Sequence, residues 1–235
     1  PDLIPWLCNP KVLMAILNEG PEFVDLLLKH GDDAFKATDV LGKNAYSILK
    51  QYDEIASIPG ANQILKDLSA GGDKARQAGH TLDLLKRLHT GDHLVTIDVH
   101  KIRIDDAAFE SRKQALGFDP ATDKYREYEG DVGARIEGLF GGLDRSPFPE
   151  SDWVGTSGPF KDKTFDLVGI PPGKGSFHSD HMEKFRPSID SHFMKQNVNY
   201  IILDTRSMNA AQKQTVLQYI EDEWADQKSR LIVLE

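Results

Sequence analysis

The sequence predicts an α/β fold (α+β overall). A mainly helical N-terminal region over residues 1–120 precedes a mixed-sheet αββαβαβ domain over residues 121–235. Three observations carry this expectation. Gly and Pro punctuate residues 11–90 at helix-length intervals. Beyond residue 123, helical periodicity alternates with short apolar runs, as it does where helices pack on a sheet. Tyr200-Ile201-Ile202-Leu203 and Leu231-Ile232-Val233-Leu234 are unbroken apolar runs, which suit strands covered on both faces.

In the N-terminal region the predicted helices are Lys11 to Asn18, Glu22 to Lys29, Asn44 to Ser57, Ala61 to Ser69 and Arg76 to His89. Each closes at a Gly or a Pro-Gly pair, because Gly adopts the left-handed conformation that ends a helix and Pro cannot continue one. This half holds apolar spacing and few reactive groups, and reads as a scaffold, a docking module or a pre-toxin segment. Cys8 is the single cysteine, so an internal disulfide framework is excluded. Its neighbours Ile4, Trp6 and Leu7 predict a small buried hydrophobe.

Val95, Ile97 and Val99 alternate with Thr96, Asp98 and His100, which predicts a half-buried strand within 94–104. Asp106 to Leu116 follows as a polar helix closed by Gly117. Phe118-Asp119-Pro120-Ala121-Thr122 reads as a turn, and the domain boundary is placed there. The C-terminal order is then helix 123–140, strands 152–156 and 163–170, helix 180–196, strand 198–204, helix 209–225 and strand 230–234.

With 40% hydrophobic and 28% charged residues, the composition is that of an ordinary soluble domain. No apolar run is long enough to cross a bilayer, and no charged segment precedes an apolar one at the N-terminus. The chain opens on Pro1 without Met, so a fragment or processed piece is expected. A net charge of −9 argues against generic, salt-driven binding to nucleic acid. Residues 153–219 nevertheless carry eight Lys/Arg against six Asp/Glu, which allows a locally basic face.

Two acids stand where burial is costly. At the helical period Tyr125, Tyr128, Val132, Ile136, Leu139 and Phe140 form one apolar stripe. Glu129 falls inside it, whereas Glu127, Asp131 and Glu137 fall outside. A carboxylate aimed at a core costs several kcal/mol unless it is paired or metal-bound. Glu129 is therefore either a salt-bridge partner of Arg126, Arg135 or a base distant in sequence, or a metal ligand or catalytic acid. Gly130, Gly133 and Gly138 predict a close approach by another element. In the strand 163–170, alternation places Asp166 on one face with Thr164, Val168 and Ile170. Asp166 is either a strand-end hydrogen-bonder or a functional acid with Lys163 nearby.

Other positions are weaker. His192 and Lys195 flank the apolar stripe Met182, Phe185, Ile189 and Phe193, on the side that can face the acids. Asp204 ends a buried strand, where ligand sites gather in α/β sheets. Lys174 lies in Pro171-Pro172-Gly173-Lys174-Gly175, which lacks the spacing of a nucleotide phosphate loop.

The segments Glu129-Gly130-Asp131-Val132-Gly133-Ala134-Arg135-Ile136-Glu137, Asp152-Trp153 and Lys163-Thr164-Phe165-Asp166-Leu167-Val168-Gly169, with Ser188-Ile189-Asp190 and Tyr200 to Asp204, resemble a known group of sequences. These are the C-terminal toxin domains of bacterial polymorphic and contact-dependent growth inhibition systems, many of which are nucleases with a PD-(D/E)XK-like core. The resemblance implies a metal-dependent nuclease that cuts DNA or RNA, tRNA included, in competitor cells. It also implies delivery within a larger secreted or surface protein, action in the target-cell cytoplasm, and a cognate immunity protein.

By the same resemblance Glu129, Asp152 and Asp166 hold one Mg²⁺ or Mn²⁺, which polarises the scissile phosphate and generates hydroxide. Lys163 then supports the attacking water, and Lys174, Arg186, His192 and Lys195 hold the substrate. The chain departs from the family pattern at one point. Asp166 is followed by Leu167-Val168, so the Asp/Glu-x-Lys tripeptide is absent and Lys163 must stand in for its lysine. The residues also leave open a non-enzymatic interaction module, or a nucleotide-modifying toxin in which His192 and Arg145 outweigh Lys163.

Overall fold

A computed structural model of the protein describes residues 4–91, 94–102, 106–120, 122–171 and 181–235. The chain forms two compact units, Pro1–His89 and Thr90–Glu235.

Among the described residues the first unit is helical: α1 (Ile4–Leu7), α2 (Pro10–Glu19), α3 (Pro21–His30), α4 (Asp32–Leu41), α5 (Ala45–Ile55), α6 (Asn62–Ala70) and α7 (Gly72–Thr90), which runs to the unit boundary. The five expected helices are present with shifted ends. Helix α4 has no counterpart among those five, yet it packs against α2, α3, α5 and α6. Its buried side is Ala34, Phe35, Ala37 and Thr38. Three of those four are small or polar, so the apolar periodicity that announces a helix is faint although the packing is central. Cys8 is exposed rather than buried. The aromatic contact of that segment is made by Trp6, stacked on Phe35 at 5.4 Å, and Leu7 is exposed as well.

The second unit comprises β1 (Val95–Ile97), α8 (Asp106–Gly117), β2 (Phe118–Asp119), β3 (Lys124–Tyr125), α9 (Glu127–Ile136), β4 (Leu143–Arg145), β5 (Trp153–Gly155), β6 (Thr164–Gly169), α10 (His181–Phe193), β7 (Tyr200–Asp204), α11 (Ala210–Glu223) and β8 (Leu231–Leu234). Six strands form one mixed sheet in the order β1-β8-β7-β6-β5-β4. The run from β1 to β6 is parallel, and β5 and β4 continue it antiparallel. The mixed α/β architecture is therefore as expected, with three differences.

First, β1 belongs to this sheet, in register Val95↔Ile232 and Ile97↔Leu234. Every residue of β8 is buried, and a buried strand needs a hydrogen-bonding neighbour on each side. Second, residues 118–125 form the small antiparallel pair β2–β3 inside this unit, and α9 starts only at Glu127. Third, β4 adds a strand between α9 and β5. It is three residues long and follows Gly141-Gly142, too short for alternation to register.

The expected close packing is observed at Gly130 and Gly133, whereas Gly138 lies beyond α9 and is exposed. A Cβ on Gly130 would lie 2.3 Å from the Lys113 carbonyl oxygen and 3.0 Å from Gly117 Cα, so α8 and α9 touch backbone to backbone. A Cβ on Gly133 would meet the Trp153 indole at 2.9 Å.

On one face of the sheet Val168, Ile201, Leu203, Leu231 and Val233 form a core with Met182, Phe185, Ile189 and Phe193 of α10 and Val216 and Ile220 of α11. Phe165 points the other way, with its ring 4.5 Å from that of Phe140. Strand alternation thus sets Asp166, two residues from Val168, on the side that α10 covers.

Candidate active site

Asp166 is 3% exposed, near the middle of β6. Its Oδ2 accepts a hydrogen bond from Lys195 Nζ at 2.7 Å, and His192 Nδ1 contacts the same oxygen. Lys195 Nζ lies 3.5 Å from His192 Nδ1, so three groups converge on one point. Helix α10 runs from the end of β6 back to the start of β7, which carries its last turn over β6. Arg230 then fixes the chain beyond α10, donating through Nη2 to the carbonyls of Lys195 at 2.8 Å and Val198 at 2.7 Å.

Asp152 brackets Asp166 through both of its neighbours. Its backbone N–H donates to Phe165 O at 2.8 Å, and its Oδ2 accepts the Leu167 N–H at 2.8 Å. The side chain thus takes the place of a partner strand just where β5 begins. Burial, then the charges of Glu129 and Asp166, push the Asp152 carboxyl up to about 8. The Leu167 N–H and Arg145 oppose that rise without cancelling it.

Arg145, at the end of β4, is the cation among these acids. Its Nη1 lies 2.6 Å from Glu129 Oε2, and its Nη2 lies 3.5 Å from Asp152 Oδ1 and 4.0 Å from Asp119 Oδ2. The Glu129 contact is an ion pair without hydrogen-bond direction, because buried Oε2 has no hydrogen-bond partner. Arg145 Nη1 donates to the Leu116 carbonyl at 3.3 Å. Arg126 is a second, longer-range partner of Glu129 at 3.7 Å. The paired alternative for Glu129 is therefore realised, mainly by an arginine that helical phase does not point to.

The remaining candidates spread out. Lys163 is half-buried just ahead of β6, and its ammonium has no hydrogen-bond or ion-pair partner among the described residues. Arg186 is exposed and lies over the Tyr219 ring at 5.0 Å, on the side of α10 that meets α11. Lys174 lies outside the described residues. Asp204 is fully buried, accepting from Arg206 at 2.9 and 2.7 Å and from the Tyr128 hydroxyl at 2.9 Å. Asp190 accepts from Tyr219 and from the Trp224 indole N–H, which ties α10 to α11.

Among the described residues no group of three or more His, Cys, Asp or Glu side chains is arranged to hold a metal ion. What the fold assembles is a buried carboxylate held by an imidazole and an ammonium, beside a second carboxylate biased toward its protonated form. Such a set can bind a phosphate edge, orient an imidazole and move a proton. Arg145 is the participant that sequence reasoning underweights, since its strand is too short to show a period, and Tyr128, read as part of the apolar stripe, donates to Asp204 instead.

Among the described residues no helix is long and apolar enough to cross a membrane. No curated protein and no solved structure matches the chain. Residues 127–234, from α9 to β8, match the family model described as CdiA C-terminal tRNase domain, and this part of the chain is thus similar to the toxin domains of contact-dependent growth inhibition systems.

Proposed function

We propose that the second unit is a contact-dependent inhibition effector that cleaves phosphodiester bonds in tRNA. The observation that carries this reading is the Asp166–His192–Lys195 cluster, all of which falls within the matched segment. A polyanionic substrate needs local positive charge on a chain of net charge −9. Lys195 supplies it at the acid, and Lys163 and Arg186 supply further cations at greater distance. In the setting of that family, the unit is carried into a target cell as part of a larger surface protein, and an immunity protein covers it in the producing cell.

The order α9-β4-β5-β6-α10-β7 supports the PD-(D/E)XK-like reading, with acids on the leading helix, immediately ahead of β5 and on β6. The lysine beside the central acid is Lys195, from beyond α10, rather than Lys163. The implied Mg²⁺ or Mn²⁺ fits these residues in chemistry, because carboxylate oxygens are its preferred donors. It does not fit their arrangement. Glu129 faces Arg145, Asp152 accepts the Leu167 N–H, and Asp166 is taken up by His192 and Lys195. No step is assigned to a cation on that arrangement.

The test is to incubate the full chain with tRNA, ribosomal RNA and duplex DNA, with EDTA or with Mg²⁺, and to resolve the products on denaturing gels. Defined tRNA fragments are expected from the wild type and none from Asp166→Ala, whose melting curve shows whether it still folds. Intact tRNA with the wild-type chain, or full cleavage by a folded Asp166→Ala, overturns the reading. Activity abolished by EDTA and restored by Mg²⁺ would return the carboxylates to the role of cation ligands.

A further inference from the structure

We infer that Phe148 is a stacking platform for an unpaired base of the RNA, on the rim of the Asp166–His192–Lys195 cluster. The inference rests on the tRNA reading and deepens it, since it names the part of the substrate that is recognised beside the acids.

Phe148 stands in the loop between β4 and β5 and is 58% exposed. The other exposed aromatics among the described residues, Phe118 and Tyr125, stand opposite each other in the β2–β3 pair. Phe148 lies outside any strand and has no residue opposite it. Its loop is nevertheless fixed. The hydroxyls of buried Ser146 and Ser151 bond to each other at 2.6 Å. The Phe148 N–H donates to Ser146 Oγ at 3.1 Å, and its carbonyl accepts the Ser151 N–H at 3.3 Å. Pro147 and Pro149 flank it and restrict the backbone further. Polar contacts thus hold an apolar ring out in water, and little freedom remains to be lost when a ligand covers it.

The loop is tied to the cluster at two points. Asp152, at its end, bonds to Phe165 and Leu167 on either side of Asp166. Glu150 accepts from Asn197 Nδ2 at 3.0 Å, and the Asn197 carbonyl accepts from Thr164 Oγ1 at 2.8 Å. Asn197 lies two residues beyond Lys195, in the stretch that Arg230 fixes. A phosphate held at Lys195 therefore has the loop of Phe148 beside it. The chemistry of the ring then selects the ligand. Phe148 offers a phosphate no donor, and the bases of a duplex are already stacked on one another. An unpaired base has open faces, and any of the four can stack on an aromatic ring. Stacking also adds affinity that salt does not screen, which suits a chain of net charge −9.

The test measures single-turnover cleavage of tRNA against the concentration of the full chain, for the wild type, Phe148→Ala, Phe148→Leu and Phe148→Trp. Phe148→Ala should raise the half-saturating concentration about 10- to 100-fold. Its maximal rate should be unchanged, as expected of a contact made equally before and during the reaction. Its melting temperature and the salt slope of its binding should also stay at the wild-type values, because an exposed ring neither fills the core nor releases counterions. Phe148→Trp should restore binding, and Phe148→Leu, apolar but without a flat face, should not. Filter binding of a blunt RNA duplex should be the same for the wild type and Phe148→Ala. An equal loss on the duplex, or rescue by leucine as full as by tryptophan, overturns the inference and leaves the tRNA-cleaving reading standing. Unchanged half-saturation in Phe148→Ala does the same and assigns the exposed ring to a protein partner. Failure of the wild type to cut tRNA overturns both.

Discussion

Asp152 Oδ2 accepts the backbone N–H of Leu167 at 2.8 Å, so a side chain from the start of one strand completes the ladder of the next, beside Asp166. The contact holds a carboxyl where burial and the charges of Glu129 and Asp166 make its ionisation costly. Since its pKa is raised on folding to about 8, its contribution to stability is full below the unfolded value near 4 and is lost as pH climbs through about 8. The second unit should melt at progressively lower temperature between pH 5 and pH 8. Each kcal/mol lost lowers the midpoint by about 2–4 °C in a domain of this size. Asp152→Asn keeps an acceptor for Leu167 and removes the titration. Parallel pH profiles for the two proteins, measured by calorimetry, would refute the assignment.

Arg145 is the cation nearest to both Glu129, at 2.6 Å, and Asp152, at 3.5 Å, and only 11% of its side chain is exposed. Removing one partner of a buried ion pair leaves the other charge unpaired, at a cost of about 3 kcal/mol or more. Arg145→Met should therefore lose that much in urea unfolding. Adding Glu129→Gln should restore part of it, because the stranded charge is then gone. Strict additivity of the two substitutions would mean that the 2.6 Å contact carries no coupling.

These two residues also mark what the sequence can and cannot say. Helical phase singles out Glu129 and strand alternation singles out Asp166, because each lies in an element long enough to display its period. Both are half-buried or buried as expected. Arg145 sits in a three-residue strand, and α4 buries Ala34, Ala37 and Thr38, so neither leaves a period to detect. Proximity in sequence favours Lys163 as the lysine of the site. Lys195 is the lysine that reaches Asp166, 29 positions away, and only the α10 crossover brings it there. Strand β1 is legible as a strand, but its partner β8 lies at the far end of the chain, and one strand's alternation says nothing of its neighbours.

The two lysines should separate in kinetics. Lys195→Ala removes the ammonium from Asp166 and should depress the maximal rate of tRNA cleavage at least about tenfold. Lys163 has no partner among the described residues, so Lys163→Ala should act on binding alone. It should weaken tRNA affinity and reduce the slope of log K against log salt by about 1. Equal losses of maximal rate in both variants would remove the distinction between a lysine that positions and one that binds phosphate.

Gly130 allows α9 to approach α8 closely enough for backbones to meet, and Glu129 is carried on the same turn. A methyl group at position 130 would stand 2.3 Å from the Lys113 carbonyl and 3.0 Å from Gly117 Cα, both backbone atoms with no rotamer to change. In an exposed helix Gly→Ala stabilises by about 1 kcal/mol through helix propensity. Here overpacking should dominate, and a net loss of about 1–3 kcal/mol is expected as α9 is forced away from α8. The displacement would also carry Glu129 away from Arg145, so tRNA cleavage should fall with stability. Gly79, a helical glycine of α7, supplies the control: a methyl group there would have nothing within 4 Å, so Gly79→Ala should be neutral or stabilising. If Gly130→Ala melts at or above the wild-type temperature, the α8–α9 contact is looser than these distances require, and Glu129 owes its position to Arg145 alone.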